Sequence, residues 1–318
     1  MKYEDKGVGS DTCPFFYEDK MLLNELKNKG ILGEHPSFLV DNTMYLVTMG
    51  SMAYGVSTDS SDNDVYGFCV PPKHIVFPHL SGEILGFGKQ KERFDQFQKA
   101  HMNDEQSNKS YDLTIYNIVK YFQLCMDNNP NMIDSLFVPQ HCIIHSTSVS
   151  EIIRDNRHLF LHKGLWHKFK GYAYSQLHKI RSKNREMGSK RKELIEKYGY
   201  DVKFAYHVVR LLSQAEQILA TGDLNLQEKG RREHMKAIRE GQVPLEDIEK
   251  WASQKEHDLE KLYHSSSLPW GPDEQKIKDI LLRCLEHHYG NLSNAIVIQN
   301  REQLAVDEIK QILEKYKL

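Results

Sequence analysis

Met44 to Pro72 reads MYLVTMGSMAYGVSTDSSDNDVYGFCVPP. An apolar run ending at Met49 leads into Gly50-Ser51, and Asp62-x-Asp64 heads a second run that ends at Val70. Glycine lets phosphate oxygens approach the backbone, the Ser51 hydroxyl can donate to a phosphate, and the helix-like start of MAYGV turns N–H groups toward negative charge. Side chains two apart on a strand project from one face, so Asp62 and Asp64 can reach one site. The spacing from Ser51 to Asp62 leaves room for one short helix and a turn back to a neighbouring strand.

Hard carboxylate oxygens suit Mg²⁺, or Mn²⁺ in its place, bound together with substrate phosphates. A second ion needs a third carboxylate, and Asp112, at the head of YDLTIY (Tyr111 to Tyr116), is the candidate. The expected metal set is therefore Asp62, Asp64 and Asp112, with Gly50 and Ser51 at a triphosphate. A calcium loop starting at Asp62 would need an oxygen ligand at its fifth position and Glu at its twelfth, which are Tyr66 and Lys73. A P-loop ending in Gly88-Lys89 would need Gly at Glu83 and Ser or Thr at Gln90. Neither fits. The bland reading of TDSSDND is a solvated turn with Asx bonding, and Gly50-Ser51 upstream weighs against it.

The chain before Pro139 alternates short β-rich runs with helices. Met44 to Met49, Asp64 to Val70 and Tyr111 to Tyr116 read as core strands, Leu136 to Val138 as a last one, and Tyr116 to Met126 as a helix stopped by Asn128-Asn129-Pro130. Polar Gly88 to Ser110 has no clean period and reads as a surface loop. Beyond about Ser148 amphipathic helices take over, at Leu165 to Arg185, Asp201 to Thr221, Leu245 to His264, Asp273 to His288 and Ala305 to Tyr316. The expectation is an α+β protein: a mixed sheet with flanking helices over residues 1–147, then an all-α domain over 148–318.

At 318 residues the chain suits two domains, each with its own core. Its 40% hydrophobic and 27% charged content belong to a soluble protein, no apolar run spans a bilayer, and the N-terminus lacks a secretory h-region, so a cytoplasmic location is expected. Five scattered cysteines argue for free thiols, and the cluster of His141, Cys142 and His145 lacks a second ligand pair at zinc-finger spacing. The net charge of -2 hides a concentration of +8 between Lys163 and Lys197, which suits a polyanionic partner or a solvated helical face. Trp166, Phe169, Tyr172 and Tyr174 lie within it; Trp166, Phe169 and Ala173 have the spacing of core residues.

On the helix from Asp201, Phe204, Val208, Leu211, Ala215 and Ile218 form a buried stripe beside a polar one of Lys203, His207, Arg210, Gln214 and Gln217. On a cleft wall, Lys203 and Arg210 could hold phosphates while His207 orients substrate or relays a proton. Solvent exposure without a role fits the same periodicity.

Gly50-Ser51 followed by Asp62-x-Asp64, taken with Asp112, resembles the signature of the DNA polymerase β nucleotidyltransferase superfamily. The blocks GSMAYG, SDNDVYGFCVPP, DLTIYNIVKYFQLCMDNNPNMIDSLF, DVKFAYHVVRLL and SSSLP, from about Met44 to Pro269, are similar to the predicted nucleotidyltransferase family named for RNA-repair pathways. The resemblance implies a palm-like mixed sheet carrying metals on Asp62, Asp64 and Asp112, phosphates at Gly50 and Ser51, and a helical domain closing a nucleotide cleft, with roles for Lys203 and His207. Two positions depart from the pattern: Met52 stands where a basic residue is common, and Asp134 stands for the usual Glu.

The expected activity is Mg²⁺-dependent transfer of a nucleoside monophosphate from an NTP to a hydroxyl by a two-metal mechanism, at an RNA 3′ end held through the basic segment 163–197. Two other readings keep the residues and change the outcome: a protein or small-molecule acceptor, or a non-catalytic module that binds nucleotide or RNA. The last gives no reason to gather three mutually repelling carboxylates.

Overall fold

The computed structural model describes residues 21–57, 63–84, 86–88, 93–181 and 189–290. Asp62, part of the basic segment and the helix expected at Ala305 to Tyr316 lie outside these residues. In chain order the elements are α1 (Met21–Asn28), α2 (Leu39–Asn42), β1 (Thr43–Thr48), α3 (Gly50–Ala53), β2 (Asn63–Cys69), α4 (Lys73–Val76), β3 (Gln96–Asp104), β4 (Lys109–Asn117), α5 (Ile118–Met126), α6 (Pro130–Leu136), β5 (Ile143–Ser146) and α7 (Ser148–Asp155). Six longer helices follow: α8 (Leu165–Arg181), α9 (Ser189–Tyr198), α10 (Val202–Thr221), α11 (Lys229–Arg239), α12 (Leu245–Ser265) and α13 (Glu274–Tyr289). The fold is α+β.

The strands form one mixed sheet in the order β3-β4-β2-β1-β5. β2 and β4 run parallel, and the remaining pairs are antiparallel. Side-chain alternation divides the apolar residues between two faces. Tyr45, Val47 and Phe68 join a core that runs without interruption through the buried faces of α5 to α8 and α10 to α13, whereas Leu46, Val65, Leu113 and Ile115 pack beneath α1 and α2. β1 is covered on both faces, in keeping with its continuously apolar run from Met44 to Val47.

Local signals account for the helices that position the site. Asn117 caps α5 by accepting from Val119 N, and Asn129 caps α6 by accepting from Asn131 N and Met132 N, with Pro130 at the first helical position. Asp201 caps α10 through Lys203 N and Phe204 N, and left-handed Gly222 closes it. α10 is the central helix, buried along most of its length. α13 returns toward the sheet: Ser148 Oγ lies 2.6 Å from His287 Nε2, and the Tyr289 hydroxyl donates to the Pro71 carbonyl.

Two sequence expectations are corrected. Gly88 to Ser110 contains the edge strand β3, paired antiparallel with β4. Its residues are mostly exposed, so an apolar alternation is missing and pairing with β4 supplies what composition does not. The last strand is Ile143–Ser146, while Leu136 to Val138 are the end of α6 and the turn after it. Among the described residues no helix is long and apolar enough to cross a membrane.

Candidate active site on the sheet

Asp64 and Asp112 are register partners on the parallel strands β2 and β4. Adjacent strands lie about 4.8 Å apart, so the two carboxylates rise from neighbouring positions. They share a face, because Val65, Leu113 and Ile115 point to the opposite core while Tyr66, Phe68 and Tyr116 pack toward the helices. The Asp112 carboxylate is fixed from the edge strand: a bulge between Lys99 and Met102 turns His101 to φ 55°, and its backbone N–H donates to Asp112 Oδ1 at 2.7 Å. The His101 ring Nδ1 lies 3.7 Å from the same oxygen.

Gly50 closes on this pair. It sits at φ 62°, and a Cβ placed there would lie 2.1 Å from Asp64 Oδ2, so the carboxylate occupies space that any other residue would fill. Met49 N donates to the Asp64 carbonyl at 2.7 Å, which ties the turn to the start of β2. Ser51 is half-buried in the short α3 beside Asp64. Gly50→Ala is expected to force the turn out of its left-handed conformation and displace the Asp64 carboxylate. A displacement of about 1 Å at a reacting centre costs roughly 100-fold in rate. Single-turnover kinetics of G50A, set against its thermal midpoint, checks this; full activity would mean that the contact has no bearing on the chemistry.

The wall opposite the carboxylates comes from the helical half. Burial pushes the Tyr66 hydroxyl up, and the Asp64 carboxylate, Tyr116 and Tyr172 push it further. Burial raises Tyr206 as well, with Arg210 and Arg239 acting against Asp64 and Tyr172. Tyr66 of β2 and Tyr206 of α10 thus lie within electrostatic range of Asp64, with Tyr172 of α8 near both tyrosines and Arg239 of α11 over the Tyr206 ring. Beside Tyr172 a cavity of about 370 Å³ opens between α5, α6 and α8, lined also by Asp127, Asn131 and Lys168.

The polar stripe of α10 divides. Lys203 is exposed one turn before half-buried His207, whose ring lies 4.2 Å from that of Tyr206. Arg210, expected to hold phosphate, is instead buried and forms an ion pair with Asp134 of α6. Asp134 also accepts from the Tyr54 hydroxyl at 2.8 Å and from Gln214 Nε2 at 3.1 Å, and Arg210 Nη1 donates to the Tyr54 hydroxyl at 2.6 Å. Burial opposes the charge on Arg210, and Tyr54 and Asp134 more than offset it, so the guanidinium stays charged. A helical period cannot separate a solvated polar stripe from one that meets a partner from another element. Asp134 is that partner, and the network anchors Tyr54, the residue just after α3.

Part of the basic segment is neutralised by α12. Lys170 lies 2.7 Å from Glu256, Arg181 lies 2.8 Å from Glu249, and Lys163 is buried with Nζ 4.1 Å from the centre of the Trp270 ring. Trp166, Phe169 and Ala173 are core residues. Sequence reasoning also missed α11, whose apolar face is little more than Met235 and Ile238.

A mixed sheet with paired aspartates beside a glycine-serine turn, under a helical wall, has the architecture of a nucleotidyltransferase. The chain belongs to the RNA repair pathway DNA polymerase beta family, whose model matches residues 23–269. That membership supports a role in nucleotidyl transfer. Among solved structures the chain is similar to a nucleotidyltransferase-like protein from Exiguobacterium sibiricum 255-15, with 11% identity, a TM-score of 0.28, and coverage of 87% of this chain and 76% of that one. No curated protein matches.

Proposed function

We propose that the protein transfers a nucleoside monophosphate from an NTP to a hydroxyl, with the 3′ end of an RNA as the acceptor. The observation that carries the reading is the register of Asp64 with Asp112 beside the left-handed turn at Gly50, where the Asp64 carboxylate fills the space of a Cβ. Two adjacent carboxylates form a hard-oxygen donor set that fits Mg²⁺ or Mn²⁺, with Asp62 as the further ligand. A bound divalent ion would lower the pKa of the attacking hydroxyl and stabilise charge on the leaving pyrophosphate.

The protein's own residues do the positioning. Gly50 and Ser51 admit the phosphates next to Asp64, and Lys203 and His207 are assigned to the nucleotide from α10. The cavity by Tyr172 has a volume suited to a nucleoside, with an aromatic ring for the base and Asp127, Asn131 and Lys168 for its polar edge. The acceptor oxygen bonds to the α-phosphorus, the bond to pyrophosphate breaks, and the hydroxyl proton leaves to solvent.

The RNA acceptor rests on the family's RNA-repair description and on the basic segment. A protein or small-molecule acceptor is the second reading, favoured by the pairing of Lys170 and Arg181 with α12, which leaves less free positive charge to follow a phosphate backbone. Incubation with each of four α-labelled NTPs, Mg²⁺, and separate pools of RNA, protein and metabolites tests the choice. Label on RNA 3′ ends is expected, and label confined to protein or metabolites would overturn the RNA assignment.

A further inference from the structure

We infer that Arg232 and Arg239 of α11 are the cations that hold the triphosphate of the incoming nucleotide, an inference that rests on the nucleotidyl-transfer reading of the site. The Gly50–Ala53 helix carries a serine and an exposed methionine, Met52, but no cationic side chain. A nucleoside triphosphate brings about four negative charges, and Lys and Arg are the residues that answer phosphate oxygens in protein sites.

α11 supplies two such groups at this place. Gln227, just ahead of the helix, donates through Nε2 to the carbonyls of Met52 and Ala53 at 3.3 and 3.2 Å, which locks α11 against the turn. Arg232 follows, and its Cδ packs so closely on Gly55 that a Cβ there would lie 2.9 Å away. Arg239 is seven residues further on, two helical turns along the same face. Its guanidinium carbon lies 5.4 Å from the centre of the Tyr206 ring, and the Tyr206 hydroxyl senses both Arg239 and the Asp64 carboxylate.

Both residues are half-buried. Ion pairs of the helical region engage Arg154, Lys170, Arg181, Arg210 and Lys255, and among the described residues none engages Arg232 or Arg239. Two cations, on one helix face that runs from the glycine-serine turn to Tyr206, thus lack the carboxylates that neutralise their neighbours. A polyphosphate chain along that face would complete them, Arg232 toward the turn and Arg239 toward the carboxylates.

Calorimetric titration of the full chain with the α,β-methylene analogues of four NTPs and with the four NMPs, in Mg²⁺, tests this. Arg232→Ala and Arg239→Ala are each expected to weaken binding of the triphosphate analogue about 10-fold to 100-fold. Binding of the monophosphate should change far less, and Arg→Lys at either position should recover part of the loss. An unchanged triphosphate affinity in both Ala variants would overturn the inference. So would equal weakening of triphosphate and monophosphate, the mark of a structural role. If the unmodified protein binds neither class, the nucleotidyl-transfer reading falls first and takes this one with it.

Discussion

Asp64→Asn or Asp112→Asn is expected to reduce nucleotidyl transfer by at least about 1000-fold, the rate equivalent of losing several kcal/mol of metal-borne charge stabilisation. Fold stability should move the other way. Two carboxylates at register positions of paired strands repel, by about 1 kcal/mol for unit charges 4 Å apart in water. Removing one charge therefore holds or raises the thermal midpoint in metal-free buffer. Asp112→Asn keeps an oxygen to accept from His101 N, so the β3 bulge is retained. On the proposed function Mg²⁺ would bind the native state and raise the midpoint of the unmodified protein, and the Asn variants should lose that increment. Thermal melts with and without Mg²⁺, beside the labelled-NTP assay, read both effects. A variant that keeps full activity would remove this pair from the chemistry. A variant that loses both activity and its metal-free fold would give the aspartates a structural role instead.

The legibility of the site in the sequence follows from how local its determinants are. Gly50, Ser51, Asp64 and Asp112 sit at strand ends, where an apolar run followed by turn chemistry fixes both element and facing, and the structure brings Gly50 and Asp64 into contact. α5, α8, α10, α12 and α13 are readable from their apolar period, each to within a few residues at its ends. Non-local determinants are not readable in this way. β3 is a strand because β4 lies beside it, and its exposed residues carry no apolar pattern. Asn129-Pro130 reads as the end of α5, yet the same two residues are the cap and first position of α6. His101 holds Asp112 through a backbone N–H, a contact to which side-chain identity gives no clue. The chemistry of Arg210 depends on Asp134, 76 residues earlier in the chain.

That last pair sets a large stability effect. Arg210 and Asp134 are 1% and 0% exposed, so neither charge has water to return to if the other is removed. Breaking a buried pair by deleting one partner costs about 3–5 kcal/mol, because the remaining charge is left uncompensated. Arg210→Ala and Asp134→Ala are each expected to lower the thermal midpoint by roughly 5–15 °C. The double replacement Asp134→Leu with Arg210→Met removes both charges and fills most of the space, so it should recover much of that loss. Function should separate from stability here. Tyr54 bonds to both partners and follows α3 directly, so in the double variant it loses both bonds and the glycine-serine turn loses its anchor. A stable double variant with reduced transfer would assign the pair to holding the turn. A stable double variant with undiminished transfer would confine it to the core. The second outcome would also remove Arg210 from phosphate binding, because a phosphate ligand would show its loss as weakened NTP binding in a chain that still melts at the native temperature.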